Sequence, residues 1–260
     1  MNQPIVIIGM GQLAGVLARA FLRKGHPVFP VTRDQNMLEE INAIPTPRMV
    51  VVAVAEKDFK VVMDEIPDGW RNKLVLIQNE LLPGDWEALN IPNPTVLSVW
   101  FEKKKGSDYI PVLPTPIYGP HAELIAESLQ AIEIPSKVMS TMDDLLIELV
   151  LKNVYIFTTN ICGLVLPEGA TTSQLWEKDK ELALAVANNI IDIQEHITGK
   201  SLARDHLIEG LEKGLYGDPN HKCKGRSAPR RLERILTQAD QTGLEIKAIR
   251  ELADRVKNMV

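Results

Sequence analysis

The chain has 260 residues and only two cysteines, Cys162 and Cys223, which form no CxxC pair. A disulfide framework is therefore excluded, no metal site is expected, and a reducing, cytoplasmic setting is the expectation. A basic excess is missing too. Lys plus Arg number 29 against 34 Asp plus Glu, for a net charge of −5, whereas a general nucleic-acid-binding surface needs a net basic face. The apolar run Met49 to Ala55 is far short of the ~20 residues of a transmembrane helix, so no membrane partner is expected. The opening Met1-Asn2-Gln3-Pro4 has no basic n-region, so no signal peptide is expected. Apolar residues at 45% and charged residues at 24% are ordinary for a globular chain. The length accommodates two domains with a cleft.

Strand-like and helix-like segments alternate in the first half. Ile5-Val6-Ile7-Ile8 is a short β-branched run of the kind that is buried on both faces. Leu13, Val16, Leu17, Ala20 and Phe21 then fall at helical spacing, with Gly25 where a C-terminal cap belongs. Val28–Val31, Met49–Val54 and Lys73–Gln78 read as further strands, and Lys57–Ile66 as a helix. This alternation predicts a parallel sheet covered by helices, with a shrunken unit between Thr32 and Arg48. Thr95–Lys103 and Tyr109–Leu113 resemble a hairpin around Gly106. From His121 the pattern is helical: 121–131, 142–165, 173–198, 202–213, 230–242 and a last helix after Glu245. Ser140-Thr141-Met142-Asp143 supplies an N-terminal cap for the longest. The expected architecture is an α/β domain over residues 1–117, of Rossmann type, and an all-α domain over residues 118–260.

Gly9-Met10-Gly11-Gln12-Leu13-Ala14 is a G-x-G-x-x-A turn that follows a buried-type strand and opens an amphipathic helix. Gly9 permits a tight turn, Gly11 lets the backbone approach a pyrophosphate, and Ala14 lets helix and strand pack closely. The helix N-terminus adds amides and a positive dipole. The candidate cofactor is a dinucleotide. At the end of the second strand an NAD-selecting site needs a carboxylate for the ribose 2′-hydroxyl; this chain has Thr32-Arg33-Asp34. Arg33 can pair a 2′-phosphate in two-pronged fashion and Thr32 can add a hydroxyl, so NADP (as NADPH) is the expected cofactor.

The segment from Leu145 to Cys162 is apolar on nearly every face, which marks a buried helix. A lysine in its middle, Lys152, is costly unless its ammonium reaches a partner or a cleft. Lys152, Ile156 and Asn160 share one stripe, with Glu148 a turn earlier. A Glu148–Lys152 surface pair is the plainer alternative, worth only about 0.3–0.5 kcal/mol.

The early glycine turn, Gln78-Asn79 after a strand and the Lys152…Asn160 helix together resemble the ketopantoate reductases of the 6-phosphogluconate-dehydrogenase-like superfamily. The resemblance implies an N-terminal Rossmann domain, a helical second domain and NADPH-dependent reduction of a 2-keto acid, a small anionic carbonyl substrate. It implies that Lys152 protonates the oxygen as hydride reaches the carbon, a role suited to a partly desolvated lysine. Asn79 would stand at the nicotinamide and substrate, also as a cofactor contact, and Asn160 would line the cleft. The chain departs from the family pattern at three places: Ile156 replaces an asparagine, Glu80 the glycine after Gln78-Asn79, and Pro229 a carboxylate after a Gly-Arg pair. Glu233 is the nearest acid, one turn late, and Ser227 reads as an N-cap within the same stretch; both are candidate substrate contacts. A homodimer through the helical half follows by the same resemblance.

Lys222, Lys224, Arg226, Arg230, Arg231 and Arg234 form a basic cluster, either a solvated surface or a mouth that attracts an anion. Two rivals stay open. The glycine turn also resembles pyrroline-5-carboxylate reductases, which reduce an imine without a lysine in this role. A protein that senses NADP(H) without turnover is the second.

Overall fold

The computed structural model describes residues 3–259. The chain divides into two compact units, Met1–Leu149 and Val150–Val260.

In the first unit β1 (Ile5–Ile8) leads into α1 (Gln12–Arg23), β2 (Val28–Val31), α2 (Met37–Ala43), β3 (Met49–Val52), α3 (Phe59–Glu65), α4 (Asp68–Arg71) and β4 (Leu74–Leu76). Next come α5 (Pro83–Glu87), β5 (Thr95–Leu97), β6 (Phe101–Lys103), β7 (Tyr109–Pro111), β8 (Thr115–Tyr118), α6 (Ala122–Gln130) and β9 (Ser136–Val138). Seven strands form one sheet in the order β2-β1-β3-β4-β5-β8-β9, parallel except where β5 meets β8. Every residue of β1, β3, β4 and β5 is buried, as an all-covered parallel sheet requires. β2 is an edge strand and so tolerates Pro30 within it. Ile5, Ile7, Met49, Val51, Leu97 and Ile117 from the sheet meet Leu17 and Phe21 of α1 and Ile125 and Leu129 of α6 in one core cluster. The shrunken unit after Thr32 is real: α2 has seven residues.

The sheet continues past residue 117. β8, α6 and β9 make a crossover in which Thr115–Ile117 pair in parallel with Ser136–Val138. The three-residue β9 carries no alternation long enough to mark a strand, and its pairing supplies the stability its own sequence lacks. The expected strand 95–103 is broken: β5 belongs to the main sheet, and β6 pairs with β7 in a separate hairpin.

α7 (Met142–Cys162) begins as expected, with Thr141 Oγ1 accepting from the Asp144 N–H and the Asp144 carboxylate accepting from the Thr141 N–H, both at 3.1 Å. Its 21 residues reach a mean hydropathy of 1.4, long and apolar enough by composition to cross a bilayer, although 83% of that window is buried within the protein. Glu148, Lys152 and Asn160 interrupt the apolar run in sequence but leave its average high.

The second unit continues with α8 (Thr172–Lys178), α9 (Lys180–Thr198), α10 (Arg204–Gly217), α11 (Ala228–Thr242) and α12 (Lys247–Lys257). The expected single helix 173–198 is two, broken at Asp179. α9 packs against α8, α10, α11 and α12. Both cysteines are free and buried; burial pushes the Cys223 thiol up to about 12 and that of Cys162 higher still.

Candidate active site

β1 ends at Ile8 and the chain turns directly into α1. Gly9 has φ +86°, and a Cβ there would lie 2.9 Å from both the Ala53 carbonyl oxygen and Val54 Cγ1. Glycine alone meets both demands. Gly11 precedes α1 in an extended conformation, and a Cβ on it would meet nothing within 4 Å. The first turn of α1 itself holds no acid, so its amides and dipole stand beside open backbone. Met10 and Gln12 are exposed around this opening, Leu13 is half-buried, and Ala14 is buried in the core. β1 lies between β2 and β3, so the turn stands where the chain connections reverse direction, the usual crevice of open α/β sheets. A dinucleotide pyrophosphate fits this cradle.

At the end of β2, Thr32, Arg33 and Asp34 are exposed. The Thr32 N–H and hydroxyl both donate to Gln35 Oε1, at 2.7 and 3.0 Å, so that hydroxyl is engaged in its own turn. Arg33 remains the cation at this rim.

The carboxyl ends of β3 and β4 are cross-linked. Gln78 Nε2 donates to the Val52 carbonyl at 2.7 Å, and Asn79 Nδ2 donates to Glu56 Oε1 at 3.0 Å. With its amide N–H held there, Asn79 offers a neighbour its carbonyl oxygen. Glu80 adopts φ +66° although it is buried, a left-handed conformation that costs a residue with a side chain about 1–2 kcal/mol. Sequence reasoning missed Glu56, although its place just past a strand end is where such sheets carry functional groups. The expected hairpin around Gly106 is present as β6–β7. It borders a cavity of about 280 Å³ whose lining includes Gly11, Gln12, Arg19, Lys103, Asp108 and Tyr109, with the Arg19 guanidinium 5.6 Å from the Tyr109 ring centre and 3.8 Å from the Asp108 carboxylate.

In the second unit Lys152 is half-buried, and its ammonium lies 5.4 Å from the centre of the Tyr155 ring. Asn153, one residue on, is buried and donates to the buried Gln194 of α9 at 2.9 Å. Asn160 is buried; its Oδ1 accepts from Arg231 Nη1 at 2.9 Å, and a Cβ on Gly225 would lie 3.0 Å from the same oxygen. Asn160 thus binds α11 and the preceding loop to α7. Ser227 holds the expected cap position of α11, but its side chain makes no capping hydrogen bond. Glu233 is exposed, on the side of α11 opposite the buried Leu232, Ile235 and Ala239.

The sheet order, the glycine turn and the helical second unit define a dinucleotide-binding α/β fold with an α-helical partner unit. No family model and no curated protein matches the chain in sequence. Among solved structures it matches the 2-dehydropantoate 2-reductase of Methylococcus capsulatus with a TM-score of 0.69 and 12% identity, over 98% of this chain and 96% of that one. The dimeric ketopantoate reductase of Staphylococcus aureus matches with a TM-score of 0.63 and 12% identity, over 98% of both chains. A D-mandelate dehydrogenase in complex with NADH gives 0.66 and 12%, again over 98% of both. The chain has the ketopantoate-reductase fold.

Proposed function

We propose that the protein is a dinucleotide-dependent reductase of a small 2-keto acid or related carbonyl, with NADPH as hydride donor and Lys152 as proton donor. The observation that carries this reading is the Gly9–Ala14 turn, with open backbone over the N-terminus of α1 at the point where the sheet connections reverse. The ketopantoate reductases and the NADH-bound D-mandelate dehydrogenase that share the fold support the same chemistry.

Bound at this turn, the dinucleotide supplies a hydride to the carbonyl carbon. The amides of the turn and of the first turn of α1, at Met10 to Leu13, hold its pyrophosphate. Arg33 pairs the 2′-phosphate with Thr32 beside it, and these two positions decide NADP over NAD. Asn79, held by Glu56 at the ends of β3 and β4, would face the nicotinamide half. Lys152 Nζ passes its proton to the carbonyl oxygen, and its charge stabilises the developing alkoxide. The Tyr155 ring beside the ammonium narrows its rotamer choice. The unit Met1–Leu149, into which the sheet continues past residue 117, serves the dinucleotide; the unit Val150–Val260 serves the substrate and pairing with a second copy, as in the dimeric neighbour.

Lys152→Ala provides the test. It retains NADPH affinity and loses about 10²–10⁴-fold in kcat on a 2-keto-acid panel. Reduction of a cyclic imine by Lys152→Ala at the wild-type rate would instead favour the imine reductase, and NADPH binding without oxidation on any substrate would favour the sensor.

A further inference from the structure

The β6–β7 hairpin pairs Phe101 with Pro111, Glu102 with Ile110 and Lys103 with Tyr109. Successive side chains of a strand alternate between its faces, so Phe101, Lys103, Tyr109 and Pro111 share one face. Phe101 lies in the core cluster with Ala14, Leu17 and Phe21 of α1, and Tyr109 packs against that cluster. This face is therefore turned toward α1, and Lys103 stands on it, half-buried. The cavity of about 280 Å³ is lined by both elements, with Gly11, Gln12 and Gly15 from α1 and Lys103, Asp108 and Tyr109 from the hairpin. One cavity thus joins the glycine turn to a lysine. The hairpin is tied down as a wall: Tyr109 donates its hydroxyl to the Ile132 carbonyl, and Arg19 reaches both the Tyr109 ring and the Asp108 carboxylate.

The charges around this cavity do not balance. Asp108 answers Arg19 at 3.8 Å, and Glu102 answers Lys104 at 3.5 Å. Among the described residues no carboxylate lies within ion-pair distance of Lys103, whose ammonium donates to the Lys104 and Ser107 carbonyls. Those neutral acceptors take two of its three donors and none of its charge. The turn itself does not depend on them, since the Ser107 N–H and hydroxyl donate to the Lys104 carbonyl at 3.2 and 3.1 Å. On the other side of the cavity stands the positive end of α1, with no acid in its first turn. Two positive fields converge on one space, and the acid that lines it is already matched to Arg19. That arrangement favours an anion there. A pyrophosphate bridge is dianionic, with oxygens enough for the α1 amides and for an ammonium.

Resting on the dinucleotide reading of the glycine turn, we propose that Lys103 is a further cofactor-binding residue, whose ammonium pairs the pyrophosphate from the side opposite the α1 amides. The β6–β7 hairpin is then the second wall of the dinucleotide site, seated on α1 by Arg19, Asp108 and Tyr109.

The experiment titrates NADPH and NADH by fluorescence into wild-type protein, Lys103→Met and Lys103→Arg, and measures the thermal midpoint of each protein without cofactor. Both cofactors carry the pyrophosphate, and only NADPH carries the 2′-phosphate. Lys103→Met keeps the apolar stem and loses the charge. It should raise Kd at least fivefold for both cofactors alike, with the midpoint moved by no more than about 2 °C. The difference from wild type should narrow between about 0.05 and 0.5 M salt, as an ion pair is screened. Lys103→Arg should bind both cofactors within threefold of wild type. A Kd unchanged by Lys103→Met overturns the proposal. A loss confined to NADPH also overturns it, because that places the lysine at the 2′-phosphate. A lowered midpoint with equal loss of affinity in both variants assigns Lys103 to the hairpin's own structure and overturns it as well. Failure of wild-type protein to bind either dinucleotide overturns the dinucleotide reading, and this proposal with it. Binding without oxidation on any keto acid overturns the reductase reading alone.

Discussion

Gly11→Ala should abolish tight dinucleotide binding while leaving the fold intact, and Gly9→Ala should do the reverse in order of severity. Gly11 has φ −78°, and a Cβ there meets nothing within 4 Å, so the methyl group costs no steric energy. Alanine is a poorer N-cap than glycine by about 0.5–1 kcal/mol, and the loss of unfolded-state freedom returns about 0.4–1 kcal/mol. The two nearly cancel, so the thermal midpoint should move by no more than about 2 °C. The same methyl occupies the space a pyrophosphate must enter. Loss of one charge-assisted amide–phosphate contact, about 1.5–3 kcal/mol, raises the Kd for NADPH roughly 10–150-fold. Gly9→Ala instead incurs about 1–2 kcal/mol for its left-handed backbone and a further ~1–3 kcal/mol where the methyl meets Ala53 and Val54. A fall in midpoint of roughly 5–15 °C follows. Thermal denaturation and a fluorescence titration with NADPH read the two quantities separately. Binding by Gly11→Ala within threefold of wild type would refute the pyrophosphate cradle, and destabilisation as large as that of Gly9→Ala would refute its geometry.

Arg33→Ala should lower the NADPH-over-NADH affinity ratio about 10–100-fold, the value of a two-pronged phosphate contact, and an unchanged ratio refutes the NADP assignment. Asn153→Ala or Gln194→Ala should each cost about 1–3 kcal/mol in urea denaturation, because a buried amide loses its partner. Replacing both by leucine should approach neutrality; costs that simply add would show the pair is uncoupled. His121 resists protonation in the folded state, first through burial and then through Arg48 and Lys73, so its folded pKa lies below the unfolded 6.5. As pH falls through 6.5 the unfolded chain gains a proton that the folded chain refuses, so stability declines there. His121→Gln should flatten that decline between pH 7 and 5, and an identical slope would exclude the histidine as its source.

Much of the dinucleotide half was legible in the chain itself. The runs 5–8 and 49–52 are β-branched and apolar, and no other secondary structure buries them so completely. The glycine spacing demanded a turn of known shape, and Gly9 adopts it. β9 was not legible, because three residues carry no period; its identity as a strand comes from β8 beside it. The break at Asp179 was equally hidden, since α8 and α9 share a continuous helical pattern across it. At the site, Lys152 stood out by its burial cost. The Arg231 contact with Asn160 did not, because one cation among six shows its partner only when the packing of α11 is known.

Local patterning suffices for the α/β beginning, the helical remainder and the glycine turn, because each depends on neighbours within a helical turn or a strand. Tertiary structure alone decided that Asn160 meets Arg231, 71 residues away, that Asn153 meets Gln194, 41 away, and that Glu56 holds Asn79, 23 away. Such pairs leave no local period. They arise from packing, which selects one partner for each buried polar group from the many that composition allows.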